Sequence, residues 1–331
     1  MNDVARTNRR SFVAGGLALA ALPCARAFAE APYPNRPIRL IVPYPPGGGT
    51  DFFARLVGAA MAQSLGQPIV IENRAGAGTT IGAEAAARSA PDGYTFLLGD
   101  VATYAANPSL YRRMRYDPQK DFTPISLTGR FAVVLLINTE KLKVNSVAEL
   151  VEAAKKAPGS IDYASGGIGN PFHLASELFA HTAKIKLNHV PYRGAAPALQ
   201  DLVGGQVGMM FVDFATARSQ LTTPKIKALA VAAPTELAGL PNVPPLAASG
   251  YPGFEVWAWQ GFVAPSATPP EIIDRLRESY LGAIKDDGIK KQLADGGIDV
   301  LQSTPTEFAD YMSSEAKRWD ALIKSADIHA D

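Results

Sequence analysis

The chain has 331 residues, 47% hydrophobic and 19% charged, with a formal charge of +1. That balance belongs to a globular protein and excludes a disordered or bilayer-embedded chain. Without a basic excess, nothing points to nucleic acid as a partner.

The first 29 residues read as an export signal. Arg6, Arg9 and Arg10 form a basic region, residues 12–22 an apolar stretch too short to span a bilayer, and Ala27-Phe28-Ala29 a small-x-small cleavage pattern. Arg9-Arg10-Ser11-Phe12-Val13 also fits the twin-arginine pattern of export after folding. The one cysteine, Cys24, follows Pro23 rather than the small residue a lipoprotein signal needs. Cleavage after Ala29 removes four basic residues (Arg6, Arg9, Arg10, Arg26) and one acid (Asp3), leaving 28 basic and 30 acidic residues, a net charge of −2. With no cysteine left, an exported chain relies on its apolar core.

Strand-like and helix-like runs then alternate. Residues 38–43 are a short β-rich run and 50–65 a helix with Phe53, Leu56, Val57 and Ala60 on one face. Between them lies P-Y-P-P-G-G-G-T-D, residues 43–51, with more turn residues than a strand-to-helix turn needs. Residues 68–72 are a second strand, followed by N-R-A-G-A-G, a helix at 80–89 and a strand at 95–98. Such alternation predicts right-handed crossovers and a parallel sheet. Thr103 and Tyr104, after the third strand, are expected to line a cleft.

The apolar run F-A-V-V-L-L-I-N at 131–138 is a strand, and the alternation restarts after it. Helices are predicted at 147–157, 171–180 and 195–204, and strands at 161–164, 187–190, 207–212 and 226–232. A proline-rich stretch, 234–252, precedes a strand at 254–263. Helical periods close the chain at 269–284, 288–295 and 305–325. The fold class is α/β with two lobes of mostly parallel sheet around a ligand cleft, where ligands meet the carboxyl ends of strands. The expected division is 30–131 plus 258–331 for lobe one and 132–257 for lobe two, with the second crossing between 232 and 258.

Two loops stand out as anion sites. Gly47, Gly48 and Gly49 leave backbone amides uncovered at a helix start, where the helix dipole favours negative charge. The second lobe repeats the device in Y-A-S-G-G-I-G-N-P-F-H, where Asn170 suits the N-cap and Pro171 the first helical position. For each loop the alternative is a tight turn without a ligand. A third loop, residues 74–80, either adds amides or allows close helix packing. His173 either touches a ligand or braces its loop. Asp213 ends a strand at the cleft and could bind a ligand or cap the segment after it. Arg193 is expected at the surface, and Trp257 and Trp259 in the core.

Enzyme motifs fail. No lysine follows Gly49, so there is no phosphate loop. G-x-G-x-x-G breaks at Ile81 and at Phe172, and Tyr163 replaces the glycine a nucleophile elbow needs before Ser165. The four histidines lack metal-ligand spacing, so neither metal nor cofactor is expected.

Together the stretches P-N-R-P-I-R-L-I-V-P-Y-P-P-G-G-G-T-D, I-E-N-R-A-G-A-G, P-D-G-Y-T, N-P-S-L-Y, S-G-G-I-G-N-P-F-H-L, V-P-Y-R-G, L-P-N-V-P and W-Q-G-F-V-A-P resemble the tripartite tricarboxylate transporter substrate-binding family, the Bug receptors. The resemblance runs the length of the mature chain. It implies a periplasmic binding protein of type II that delivers a small organic carboxylate to integral membrane subunits, with backbone amides and bridging waters holding the ligand. Carried onto this sequence, the ligand-binding positions are Tyr44, Pro46, Gly47, Gly48 and Gly49 in the first loop and Ser165, Gly166, Gly169, Asn170 and His173 in the second; Thr103 and Asp213 join them from their places at strand ends. A monomer is expected. One departure is Phe214, where members often have Asn after the Asp; it would make the pocket more apolar. Two other readings stay open: a sensor presenting its ligand to a membrane kinase, and an exported hydrolase using Ser165 with His173 as base.

Overall fold

The computed structural model describes residues 32–237 and 239–330; the expected export signal lies outside them. The chain runs β1 (Ile38–Val42), α1 (Gly49–Leu65), β2 (Ile69–Asn73), α2 (Thr80–Ala87), β3 (Thr95–Asp100), a π-helical turn (Ala102–Ala106) and α3 (Asn107–Leu110). It continues through β4 (Phe122–Asn138), α4 (Val147–Lys156), β5 (Asp162–Ser165), α5 (Pro171–Ala183), β6 (Asn188–Pro191), α6 (Ala195–Val203), β7 (Met209–Asp213), α7 (Phe214–Ala217) and β8 (Ile226–Val231). Last come β9 (Trp257–Pro265), α8 (Pro270–Ala283), α9 (Asp287–Asp295), β10 (Ile298–Val300) and α10 (Pro305–Ser325).

The strands order as β2-β1-β3-β9-β4-β7-β5-β6, with β8 and β10 also on β4. β1, β2 and β3 are parallel, as are β5, β6 and β7. Among these strands, every antiparallel pairing involves β4 or β9. The expected parallel units thus form the two flanks, and two long antiparallel strands join them.

β4 makes that junction. Its first part, to Ala132, pairs with β9, and from Val133 it pairs with β7 and β8. Only residues 131–138 of it read as strand in the sequence. Pro124 and two register shifts against β9 interrupt the earlier part, and the alternation signal is lost there. The chain passes between the flanks again where Ala232 donates to the Val133 carbonyl and Val256 donates to the Ala232 carbonyl.

Local chemistry sets the helix ends. Ser146, Asn170, Asp286 and Thr304 accept first-turn N–H groups at α4, α5, α9 and α10. At α10 the cap is reciprocal, because Glu307 bonds back to the Thr304 amide. Among the described residues no helix is long and apolar enough to cross a membrane.

α10 is tied to β9 by one buried carboxylate. Glu315 Oε2 accepts the indole N–H of Trp259 at 2.8 Å and of Trp319 at 3.0 Å. Both indoles are 1% exposed, so neither N–H can turn to water instead. Glu315→Leu strands two buried donors and is expected to lower stability by about 2–4 kcal/mol in urea unfolding. A loss below about 1 kcal/mol would show that the tie contributes little.

Candidate functional site

Three helices start at one cavity between the flanks of the sheet. Their entry loops follow the carboxyl ends of β1, β5 and β6. Tyr44, Gly48, Asn170, Gly194, Ala195 and Asp213 are among its walls, which enclose about 580 Å³ including the part open to solvent. Among the described residues, no lysine, arginine or histidine lines it.

The first loop divides its amides between structure and cavity. Gly47 N–H donates to Asp51 Oδ2 at 3.0 Å, so that amide is already used. Asp51 also receives Arg55 and Asn73. Its burial opposes ionisation, but the bonds from Arg55, Asn73 and Gly47 outweigh it and hold the carboxyl below the usual range. Gly48, the N-cap, has no side chain to offer α1. Among the described residues, the N–H groups of Gly48, Gly49 and Thr50 have no protein acceptor. Gly49 permits the close approach: a Cβ there would lie 2.8 Å from Phe131 Cε1 and 2.9 Å from Asp213 Oδ1.

In the second loop, several expected ligand positions make hydrogen bonds within the protein. Ser165 is fully buried and off the cavity wall. Its Oγ sits 2.7 Å from His189 Nε2 and accepts the Gly167 N–H at 3.1 Å. His173 Nδ1 accepts the Gly169 N–H at 3.2 Å, so neither group faces the cavity. His173 stacks on His189 with ring centroids 4.2 Å apart, and Tyr163 stacks on both. Burial, with the neighbouring His189, pushes His173 down to about 3, and burial pushes His189 down to about 4. Asn170 does reach the cavity; its Oδ1 caps Phe172 N–H and its carboxamide faces the Tyr44 hydroxyl from the opposite flank. Gly166 lines a second, wider opening instead, together with the 76–79 loop and the exposed Arg193.

Thr103 lies behind the wall rather than on it. Its N–H and Oγ1 both bond Asp100 Oδ1, and its hydroxyl meets Thr79. Asp100, which the sequence pattern does not single out, is the residue that lines the cavity, and it accepts the Tyr44 hydroxyl at 2.6 Å. Asp213 lines the wall and also caps α7, accepting Thr216 N–H and Oγ1 at 2.8 Å each. Burial raises both carboxyls, against the donors that bond them. Phe214 does not enter the cavity; its ring packs where Cβ atoms on Gly239 and Gly297 would sit. Trp259 is core, as expected, and forms part of the wall as well.

The third helix start, Gly194-Ala195-Ala196, is not among the expected positions either. Gly194 has φ +116°, and a Cβ there would stand 3.1 Å from Pro45 Cγ on the opposite flank. The amides of Ala195 and Ala196 have no protein acceptor among the described residues. The signal is present in the chain: a glycine closes a strand and opens a helix, as in the other two loops.

The family profile described as the tripartite tricarboxylate transporter family receptor matches residues 53–328. The chain belongs to this family. Three solved structures place it among Bug-type receptors of the two-lobed type II fold. The periplasmic binding protein BugD is 35% identical with a TM-score of 0.84, over 90% of this chain and 99% of that one. An R. palustris protein with adipate is 33% identical with a TM-score of 0.86, over 90% and 99%. MatC from Rhodopseudomonas palustris with bound malate is 34% identical with a TM-score of 0.83, over 88% and 100%.

The paired histidines give this receptor an acid-sensitive brace. Their folded pKa values lie below the unfolded value of about 6.5, so the unfolded chain binds protons that the folded one does not. The stability they contribute is present above pH 6.5 and is lost as pH falls toward 4, by at most about 1.4 kcal/mol per pH unit per histidine. His173→Asn keeps an acceptor near Nδ1 and should flatten the fall in Tm between pH 7 and 4. An unchanged slope would remove His173 from this role.

Proposed function

We propose that the protein is a periplasmic receptor that captures a small organic carboxylate between two lobes and hands it to the integral subunits of a tripartite transporter. The observation that carries this reading is the convergence of unpaired first-turn amides from α1 and α6 on a cavity without a cationic side chain. Oriented amides attract an anion and need no permanent charge of their own. The expected ligand positions keep their proposed role at Tyr44, Pro46, Gly48, Gly49, Asn170 and Asp213. Asp100, Ala195 and Ala196 join them. Gly47, Thr103, Ser165, Gly169 and His173 act as supports that hold the loops in place.

The adipate and malate held by two relatives support a carboxylate as the ligand class. Each charge-assisted hydrogen bond contributes roughly 1.5–3 kcal/mol, and micromolar binding requires about 8 kcal/mol net. Four to six such bonds suffice after the costs of binding. The proposed hinge lies where the chain passes between flanks, at Ala132-Val133 and between Ala232 and Val256. Opening there would part Gly49 from Asp213 and Gly194 from Pro45, exposing each set of amides to a diffusing anion. Export to the periplasm through the N-terminal segment completes the reading.

Two measurements test it. Unfolding and refolding strips bound ligand, and a carboxylate at 100 times its Kd should then add about 2.7 kcal/mol of stability in a thermal-shift screen. A broad panel with no stabilising carboxylate would overturn the reading. Gly48 has φ −90° and open space where a Cβ would go, so Gly48→Asp should fold normally. The added carboxylate would cover the amides and repel the ligand, weakening binding by about 100-fold or more. Unchanged affinity would make this loop only a turn.

A further inference from the structure

The wider opening and the ligand cavity are neighbouring spaces. Tyr44, Pro45, Asn170 and Gly194 stand on the walls of both. The opening is the larger, about 1140 Å³ against about 580 Å³, each including the part open to solvent. It reaches solvent at Ile81 and Arg193, which are exposed. A contact between the flanks divides the two spaces, because a Cβ on Gly194 would lie 3.1 Å from Pro45 Cγ. A molecule in the opening therefore rests against a contact that must part to admit it.

Among the described residues, Arg193 is the one charged residue on the wall of the opening. Its neighbours in the chain are fixed. Tyr192 N–H donates to the Ser165 carbonyl at 3.0 Å, and Gly194 N–H to the Gly166 carbonyl at 3.2 Å. The Tyr192 hydroxyl donates to Asp201 Oδ2 at 2.7 Å. The Arg193 guanidinium itself bonds nothing among the described residues. Other exposed arginines are paired, Arg36 with Asp92, Arg55 with Asp51 and Arg88 with Glu84. Arg193 thus holds a free fork of donors, the geometry that suits a carboxylate, on a backbone held from both sides.

The unpaired amides of Ala195 and Ala196 follow directly in the chain, on the cavity wall. Two residues of backbone span at most about 7 Å, so the cation and these dipoles are close neighbours. They differ in reach. A full charge acts over about 8–10 Å in ordinary salt, whereas oriented amides act on what touches them. Resting on the carboxylate-receptor reading, we propose that the opening is an encounter site and Arg193 its capture residue. Arg193 draws the carboxylate to the contact between the flanks and passes it to the amides within. It acts on the rate of association and leaves the closed complex to the amides.

The test is stopped-flow kinetics on the stripped, refolded protein. Calorimetry first picks the tightest binder among malate, succinate, adipate, citrate and benzoate. Tryptophan fluorescence then reads its binding, since Trp259 stands on the cavity wall. At low salt Arg193→Gln should lower kon about threefold and Arg193→Glu about tenfold, with koff changed less than about twofold. Both differences should shrink at about 300 mM salt, where exposed charges are screened. Lys285 is exposed and lines neither space, so Lys285→Gln should leave kon nearly unchanged. Equal kon in wild type and Arg193 variants overturns the proposal. A loss that falls on koff overturns it too, because Arg193 would then be a contact of the closed complex. An equal kon loss in Lys285→Gln would assign the effect to net charge and overturn it as well. If calorimetry finds no acid that binds, the receptor reading itself falls, and this inference with it.

Discussion

The first turn of an α-helix carries backbone N–H groups that the helix cannot satisfy, and this protein opens α1, α5 and α6 on one cavity. Much of the surrounding architecture holds those starts in position. Parallel strands deliver each loop to the same edge of the sheet. Gly49 and Gly194 keep side chains out of the places where the two flanks touch. Asp51 fixes the α1 loop by taking Gly47 N–H, while Ser165, His173 and His189 fix the loop before α5. Some amides are thus consumed to hold the others still, which fits a site that must be preorganised before its ligand arrives.

The electrostatics rest on the same arrangement. A receptor with two buried aspartates in its cavity would be a poor host for an anion if those charges stood bare. Both carboxyls are already bonded by donors of the protein, Asp100 by Tyr44 and Thr103 and Asp213 by Thr216. Burial also raises both, which reduces the charge a ligand would face. Dipoles rather than full charges would then carry the binding. Such a site gains from closure, because excluding water strengthens each dipole and both flanks must meet to complete it.

Much of this is legible in the sequence alone. The alternation of strand and helix, the restart near Phe131 and the two glycine loops all lie in local pattern. The features that are not legible depend on partners distant in the chain. Ser165 and His173 look like ligand contacts because their loop looks like a site; His189, which stacks on one and bonds the other, comes from a different strand. Thr103 and Asp100 sit three residues apart, and only the turn at 102–106 decides which of them faces the cavity. The first part of β4 is hidden by Pro124 and its register shifts, although that strand spans both flanks. Phe214 shows the limit of reading a substitution without direction: its position beside Asp213 suggests the pocket, but its ring turns toward Gly239 and Gly297.

The central claim is that backbone amides from both flanks grip one carboxylate. Glycine- and alanine-selective 15N labelling with transverse-relaxation-optimised NMR reads those amides directly as a binding carboxylate is titrated in. The account predicts that the Gly48, Gly49, Ala195 and Ala196 resonances move together at the same saturation point, while Gly47, held by Asp51, and Gly194, held by the Gly166 carbonyl, move much less. Saturable carboxylate binding that leaves Gly48 and Gly49 in place would contradict it.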